Sequence, residues 1–146
     1  MTRVFVSSVI DSSVDDVWNI IRDFNNLPGW LPVVSDSVIE NGRASDSIGC
    51  VRSFHLNGAH LREQLVGLSD CDRAMRYIML ESPLPVTNYH ARLSAAPVTD
   101  GNRAYVAWEA EFDVPEEHAA EVIDTLSKGV FSAGLDNLKN ICRPRS

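Results

Sequence analysis

Arg52 and Glu63 are the residues whose types and spacing point most directly to chemistry. They flank Asn57-Gly58, a dipeptide that favours the positive φ angles of a tight two-residue hairpin. With that loop Leu56 pairs with Ala59, Phe54 with Leu61, Arg52 with Glu63 and Cys50 with Leu65. Strand side chains alternate, so these residues share one face, while Ser53, His55, His60, Arg62 and Gln64 share the solvated other. An otherwise apolar face therefore carries one cation directly opposite one anion. Such a pair can be a partly wet, structural ion pair at the sheet's edge. It can also be a polar anchor inside an apolar cavity, where leaving either charge unpaired is costly. In the second case Glu63 is a candidate base and Arg52 a candidate stabiliser of developing negative charge. Against this, an arginine partner is expected to keep a carboxylate acidic, and so a weak base. Tyr77 and Tyr89 are the other candidates, each joining an apolar ring to one hydroxyl.

Other chemistries find little to rest on. His55 and His60 are near neighbours across the hairpin, but on its outer face and without a third ligand. No Cys-x-x-Cys, His-Glu-x-x-His, Gly-x-Ser-x-Gly or Gly-rich phosphate loop is present, so neither a metal nor a cofactor is expected. A net charge of -7 without a run of Lys and Arg argues against nucleic acid and anionic membranes as partners. Met1-Thr2-Arg3-Val4-Phe5 lacks the apolar core of a signal peptide, and no stretch reaches membrane-spanning length. Cys50, Cys71 and Cys142 are odd in number and widely spaced, which reads as unpaired thiols in a cytoplasmic protein.

The elements that must position these groups follow from periodicity. Val4 to Ile10 alternates as a first strand. Ser13 reads as an N-cap, with Asp15 and Asp16 in the first turn and Val14, Val17, Trp18 and Ile21 as the helical stripe. Asp23 to Pro32 is broken enough for only a second short helix or turn. Strands are then expected over 33–40, 49–56, 60–68, 75–80, 89–95 and 104–114, separated by Asn-Gly, Asp-Gly and Pro-rich turns. From Pro115 to about Cys142 the pattern is helical. Ala119, Val122, Ile123, Leu126, Val130, Ala133 and Ile141 fall on one stripe, with Phe131, Leu135 and Leu138 widening it. The order is β-α-α-β-β-β-β-β-β-α in a single domain over residues 1–146, an α+β chain whose antiparallel sheet wraps one long helix. Trp18 and Trp108 read as core, and Trp30 as either core or cavity lid.

Several segments in order resemble the SRPBCC or START-like superfamily, which includes birch-pollen-allergen-like proteins, polyketide cyclase/dehydrase-type proteins and plant abscisic acid receptors. They are Asp15-Asp16-Val17-Trp18, Asp23-Phe24, Trp30-Leu31-Pro32, Gly49-Cys50-Val51-Arg52, Arg62-Glu63-Gln64-Leu65, Pro83 to Tyr89, and Leu135 to Lys139. The resemblance implies a helix-grip fold, a curved seven-stranded antiparallel sheet around a long C-terminal helix with a hydrophobic cavity between them. It places Phe54, Leu56, Glu63, Tyr77, Met79, Tyr89 and Ala91 on sheet positions lining that cavity. It places Leu126, Val130 and Gly134 on the helix facing it. Trp30 and Leu84 lie in loops expected to cover the mouth. The gate loop of the hormone receptors is absent, since only Asn57-Gly58-Ala59-His60 stands in its place, and their latch is here Leu84-Pro85-Val86. What the resemblance implies is therefore the scaffold and not the receptor signalling.

Two functions are compatible with these residues. The first is a binding module for a small, largely hydrophobic or aromatic molecule, working as a monomer or homodimer. The second is an enzyme of the polyketide cyclase/aromatase kind, with Arg52, Glu63 and the tyrosines as acid–base groups. Gly134 is the sharpest helix position, because a glycine inside a helix costs about 1 kcal/mol relative to alanine. It leaves room either for a ligand or for close packing against Trp18 or Trp30. On the first alternative, Gly134→Leu would fill the cavity and spare the fold.

Overall fold

The computed structural model describes residues 1–142. Thr2–Ile10 forms β1, and the chain then turns into α1 (Val14–Ile21), where the Ser13 side chain accepts the Asp16 backbone N–H as the N-cap. A one-turn helix, α2 (Leu27–Trp30), carries Pro28 in its first turn, where a missing N–H costs nothing. The strands β2 (Val34–Ile39), β3 (Val51–Leu56), β4 (Ala59–Ser69), β5 (Ala74–Glu81), β6 (Thr87–Val98) and β7 (Arg103–Asp113) follow. All are antiparallel to their neighbours in one seven-stranded curved sheet, ordered β1-β7-β6-β5-β4-β3-β2. β1 and β2 are thus its edges.

Turn chemistry accounts for most of this connectivity. Asn57 and Gly58 both adopt positive φ, as a tight hairpin turn requires, and β3 and β4 pair with Arg52 opposite Glu63 and Phe54 opposite Leu61. Backbone bonds between Leu65 and residues 49 and 50 carry the pairing past the strand end. Asn41-Gly42 behaves differently. It also has positive φ, but within a short 3₁₀ turn (Glu40–Gly42), and a loop over 43–50 separates it from β3. Register shifts mark a bulge in β5 at Leu80, opposite Arg62–Glu63, and one in β4 at Val66, between Leu65 and Gly67, a feature that increases local twist and bends a strand.

The C-terminal helix departs from the regular period. It runs as α3 (Glu116–Asp124), a π-helical stretch (Thr125–Ser132) and α4 (Ala133–Ile141). Its buried residues are Val122, Leu126, Val130, Phe131, Gly134, Leu135 and Leu138. Ile123 and Ile141, expected on the apolar stripe, are exposed. Ile123 lies in α3, before the π-helical stretch. Beyond it, wider i→i+5 bonding turns each residue through a smaller angle, so a stripe drawn at about 100° per residue drifts off the buried face by Ile141. Phe131 stacks on Trp108 with ring centroids 4.3 Å apart, and Asn137 donates to the Trp30 carbonyl at 2.9 Å, which joins α4 to α2. Trp18 is core as expected, and its indole N–H also reaches Asp70 in the β4–β5 turn at 2.8 Å.

Candidate functional site

Hairpin alternation sends Arg52 and Glu63 inward, and both end almost wholly buried, at 3% and 4% exposed. They are the buried charged residues among those described. The Arg52 Nε and Nη2 donate to Glu63 Oε1 at 3.0 and 2.7 Å, and Nη1 donates to the Phe24 carbonyl at 3.0 Å. The guanidinium carbon lies 4.0 Å from the Phe24 ring centre and 4.8 Å from that of Tyr77, so aromatic faces shield the cation. Tyr77 accepts the Trp108 indole N–H at 2.9 Å. Glu63 Oε2 and the Tyr89 hydroxyl have no hydrogen-bond partner among the described residues.

Burial governs the electrostatics. It pushes the Glu63 carboxyl up from its usual value, against the opposing pull of Arg52. This reverses the acidic carboxylate expected from the sequence, because desolvation of a carboxyl only 4% exposed outweighs the pull of Arg52. Burial also raises the Tyr77 and Tyr89 hydroxyls, with Glu63 adding to the effect, so both stay protonated as hydrogen-bond donors.

These groups border a cavity of about 80 Å³ between the sheet and the C-terminal helix. Of the residues expected to line it, Arg52, Phe54, Leu56, Glu63, Tyr77, Met79, Leu84, Tyr89, Leu126 and Val130 do so. Gly134, Trp30 and Ala91 do not. A Cβ on Gly134 would lie 3.0 Å from both Leu31 and Trp30 and 3.1 Å from Trp108, so this glycine serves helix-to-core packing. Trp30 lies behind the wall, its ring 5.2 Å from that of Trp108. Ala91 is buried in the sheet between Tyr77 and Ala110, where its single methyl does not reach the cavity.

The lining also includes Leu27, Leu31, Ala59, Leu61, Ser82, Pro83, Trp108, Thr125 and Phe131. Ala59 and Leu61 were already on the apolar hairpin face by alternation. Phe131 was masked by the shifted helical period, and Trp108 by its resemblance to ordinary core. Outside the cavity, His55 contacts Asp36 at 2.9 Å and His60 contacts Ser53 at 2.6 Å, each on the outer face. Among the described residues no cluster of three His, Cys, Asp or Glu side chains could hold a metal.

Sheet, grip and cavity together define a helix-grip protein of the kind that encloses apolar space between a curved sheet and its last helix. A family model described as polyketide cyclase / dehydrase and lipid transport matches residues 1–143, and the chain belongs to that family. Among solved structures, the protein XoxI from Bacillus cereus is 31% identical with a TM-score of 0.86, the alignment covering 97% of this chain and 96% of that one. A Thermobifida fusca protein solved by NMR is 32% identical with the same TM-score of 0.86, covering 95% and 91%. Norcoclaurine synthase from Thalictrum flavum shares the fold at 17% identity and a TM-score of 0.78, covering 99% and 95%. No curated protein sequence matches the chain. Among the described residues no helix is long and apolar enough to cross a membrane.

Proposed function

We propose that the protein binds a small, largely hydrophobic molecule in the cavity between sheet and C-terminal helix. One observation carries this reading: the protein's buried ion pair borders a space whose other walls are almost entirely apolar. Few polar groups set in apolar walls are the usual composition of a ligand pocket. At about 80 Å³ the space is smaller than the roughly 150 Å³ of an engineered cavity that admits benzene. Binding therefore requires the walls to part. Met79 is flexible, and Ser82, Pro83 and Leu84 form a partly exposed loop at the mouth, so the movable wall is on that side. The test is native mass spectrometry with a thermal-shift screen of lipids, isoprenoids and aromatic polyketides. Stabilisation by one class is expected; stabilisation by none defeats the proposal.

The raised Glu63 carboxyl favours a second reading, an enzyme of the polyketide cyclase kind acting on a ligand in the same cavity. Glu63 would take a proton, Arg52 would stabilise an enolate, and Tyr77 or Tyr89 would donate. Glu63→Gln and Arg52→Met separate the two readings. Turnover lost with binding kept supports the enzyme, whereas binding weakened with no turnover in any form supports the module.

A further inference from the structure

Resting on the cavity-binding reading, we infer that the site selects an electrically neutral ligand bearing a hydroxyl, in preference to carboxylates, ammonium ions and plain hydrocarbons. Two counts lead there, one of charge and one of hydrogen bonds.

The charge count is closed. Arg52 and Glu63 neutralise each other at 2.7 Å, both side chains almost wholly buried. A ligand carboxylate would leave the interior with an excess negative charge beside Glu63, and an ammonium would leave an excess positive charge beside Arg52. An unpaired charge in such surroundings is strongly disfavoured. Only a neutral ligand keeps the balance.

The hydrogen-bond count is open. Both Arg52 bonds to the carboxylate land on Glu63 Oε1, leaving Oε2 without a donor among the described residues. The Tyr89 hydroxyl has no partner among the described residues although the residue is buried, and Tyr77 uses its oxygen as an acceptor for Trp108, which leaves its own proton to give. All three side chains line the cavity. A ligand hydroxyl can donate to Oε2 and accept from a tyrosine, whereas a hydrocarbon of the same shape satisfies neither. Buried polar groups left unmet weigh against the ligand that leaves them so.

The experiment is a titration of the protein with 4-ethylphenol, ethylbenzene, 4-ethylbenzoate and 2-phenylethylammonium at neutral pH, followed by NMR shifts of cavity methyl groups. The expected order has 4-ethylphenol binding at least about tenfold tighter than each of the other three. Tyr89→Phe, which keeps the ring, should shrink the phenol's advantage over ethylbenzene without weakening ethylbenzene itself. The double variant Arg52→Met/Glu63→Leu should remove most of that advantage. Binding of 4-ethylbenzoate or the ammonium as tightly as 4-ethylphenol overturns the inference while leaving the cavity reading intact. So does a phenol preference that survives both variants. Cavity methyls that respond to none of the four compounds defeat the cavity reading and this inference together.

Discussion

Replacing Glu63 by Leu isolates what the cavity does to a charge. The substitution leaves the Arg52 guanidinium without the acceptor of two of its bonds, at 3.0 and 2.7 Å, in a residue only 3% exposed. Breaking a buried pair by removing one partner costs about 3–5 kcal/mol. At about 2–4 °C per kcal/mol for a chain of this size, Tm should fall by roughly 6–20 °C. Adding Arg52→Met removes the stranded charge. The double variant then loses mainly the partner of the Phe24 carbonyl, a penalty of about 1–3 kcal/mol. The double variant should therefore be more stable than Glu63→Leu alone. Urea denaturation of the wild type, both single variants and the double variant gives the coupling directly. A loss below about 1 kcal/mol for Glu63→Leu would refute the reasoning, because that is the scale of a pair already in water.

Four further outcomes follow from the structure. Gly134→Ala should destabilise despite its gain in helix propensity. Its Cβ meets three fully buried side chains at 3.0–3.1 Å, and overpacking of about 1–3 kcal/mol exceeds a gain of about 1. Gly129→Ala, with nothing within 4 Å, should stabilise by up to about 1 kcal/mol, and chemical denaturation measures both. The bond from Arg22, then that from Trp18, hold the Asp70 carboxyl below its usual value. Its stabilising effect is thus present above the unfolded value of about 3.9 and lost as pH falls through the lower native one. The wild type's advantage over Asp70→Asn should be complete near neutral pH and fade below about pH 4 in pH-dependent thermal melts. Gly58→Ala should weaken folding by about 1 kcal/mol or more, since Gly58 holds φ +84, and the same denaturation assay reads it.

The site was legible where short-range rules decide geometry. A two-residue turn sets register and alternation sets facing, so Asn57-Gly58 alone was enough to put Arg52 and Glu63 opposite each other on the buried face. Helix positions were less legible, because periodicity assumes one turn angle. The π-helical bonding over Thr125–Ser132 changes that angle ahead of Ile141, which is exposed. Gly134 illustrates another limit. A glycine's purpose depends on what lies opposite, and only the tertiary approach of Trp30, Leu31 and Trp108 reveals it. The direction of the Glu63 shift likewise depends on how much water burial removes, which pairing alone does not specify.

The most direct test of the account uses NMR of methyl-labelled protein titrated with 4-ethylphenol and, separately, ethylbenzene. Leu61, Met79, Leu126 and Val130 line the cavity, while Ile123 and Ile141 are exposed. Saturable shifts at the first four, with the two isoleucines unmoved, are the predicted result. No shifts at the lining methyls, or shifts confined to the exposed isoleucines, would contradict it.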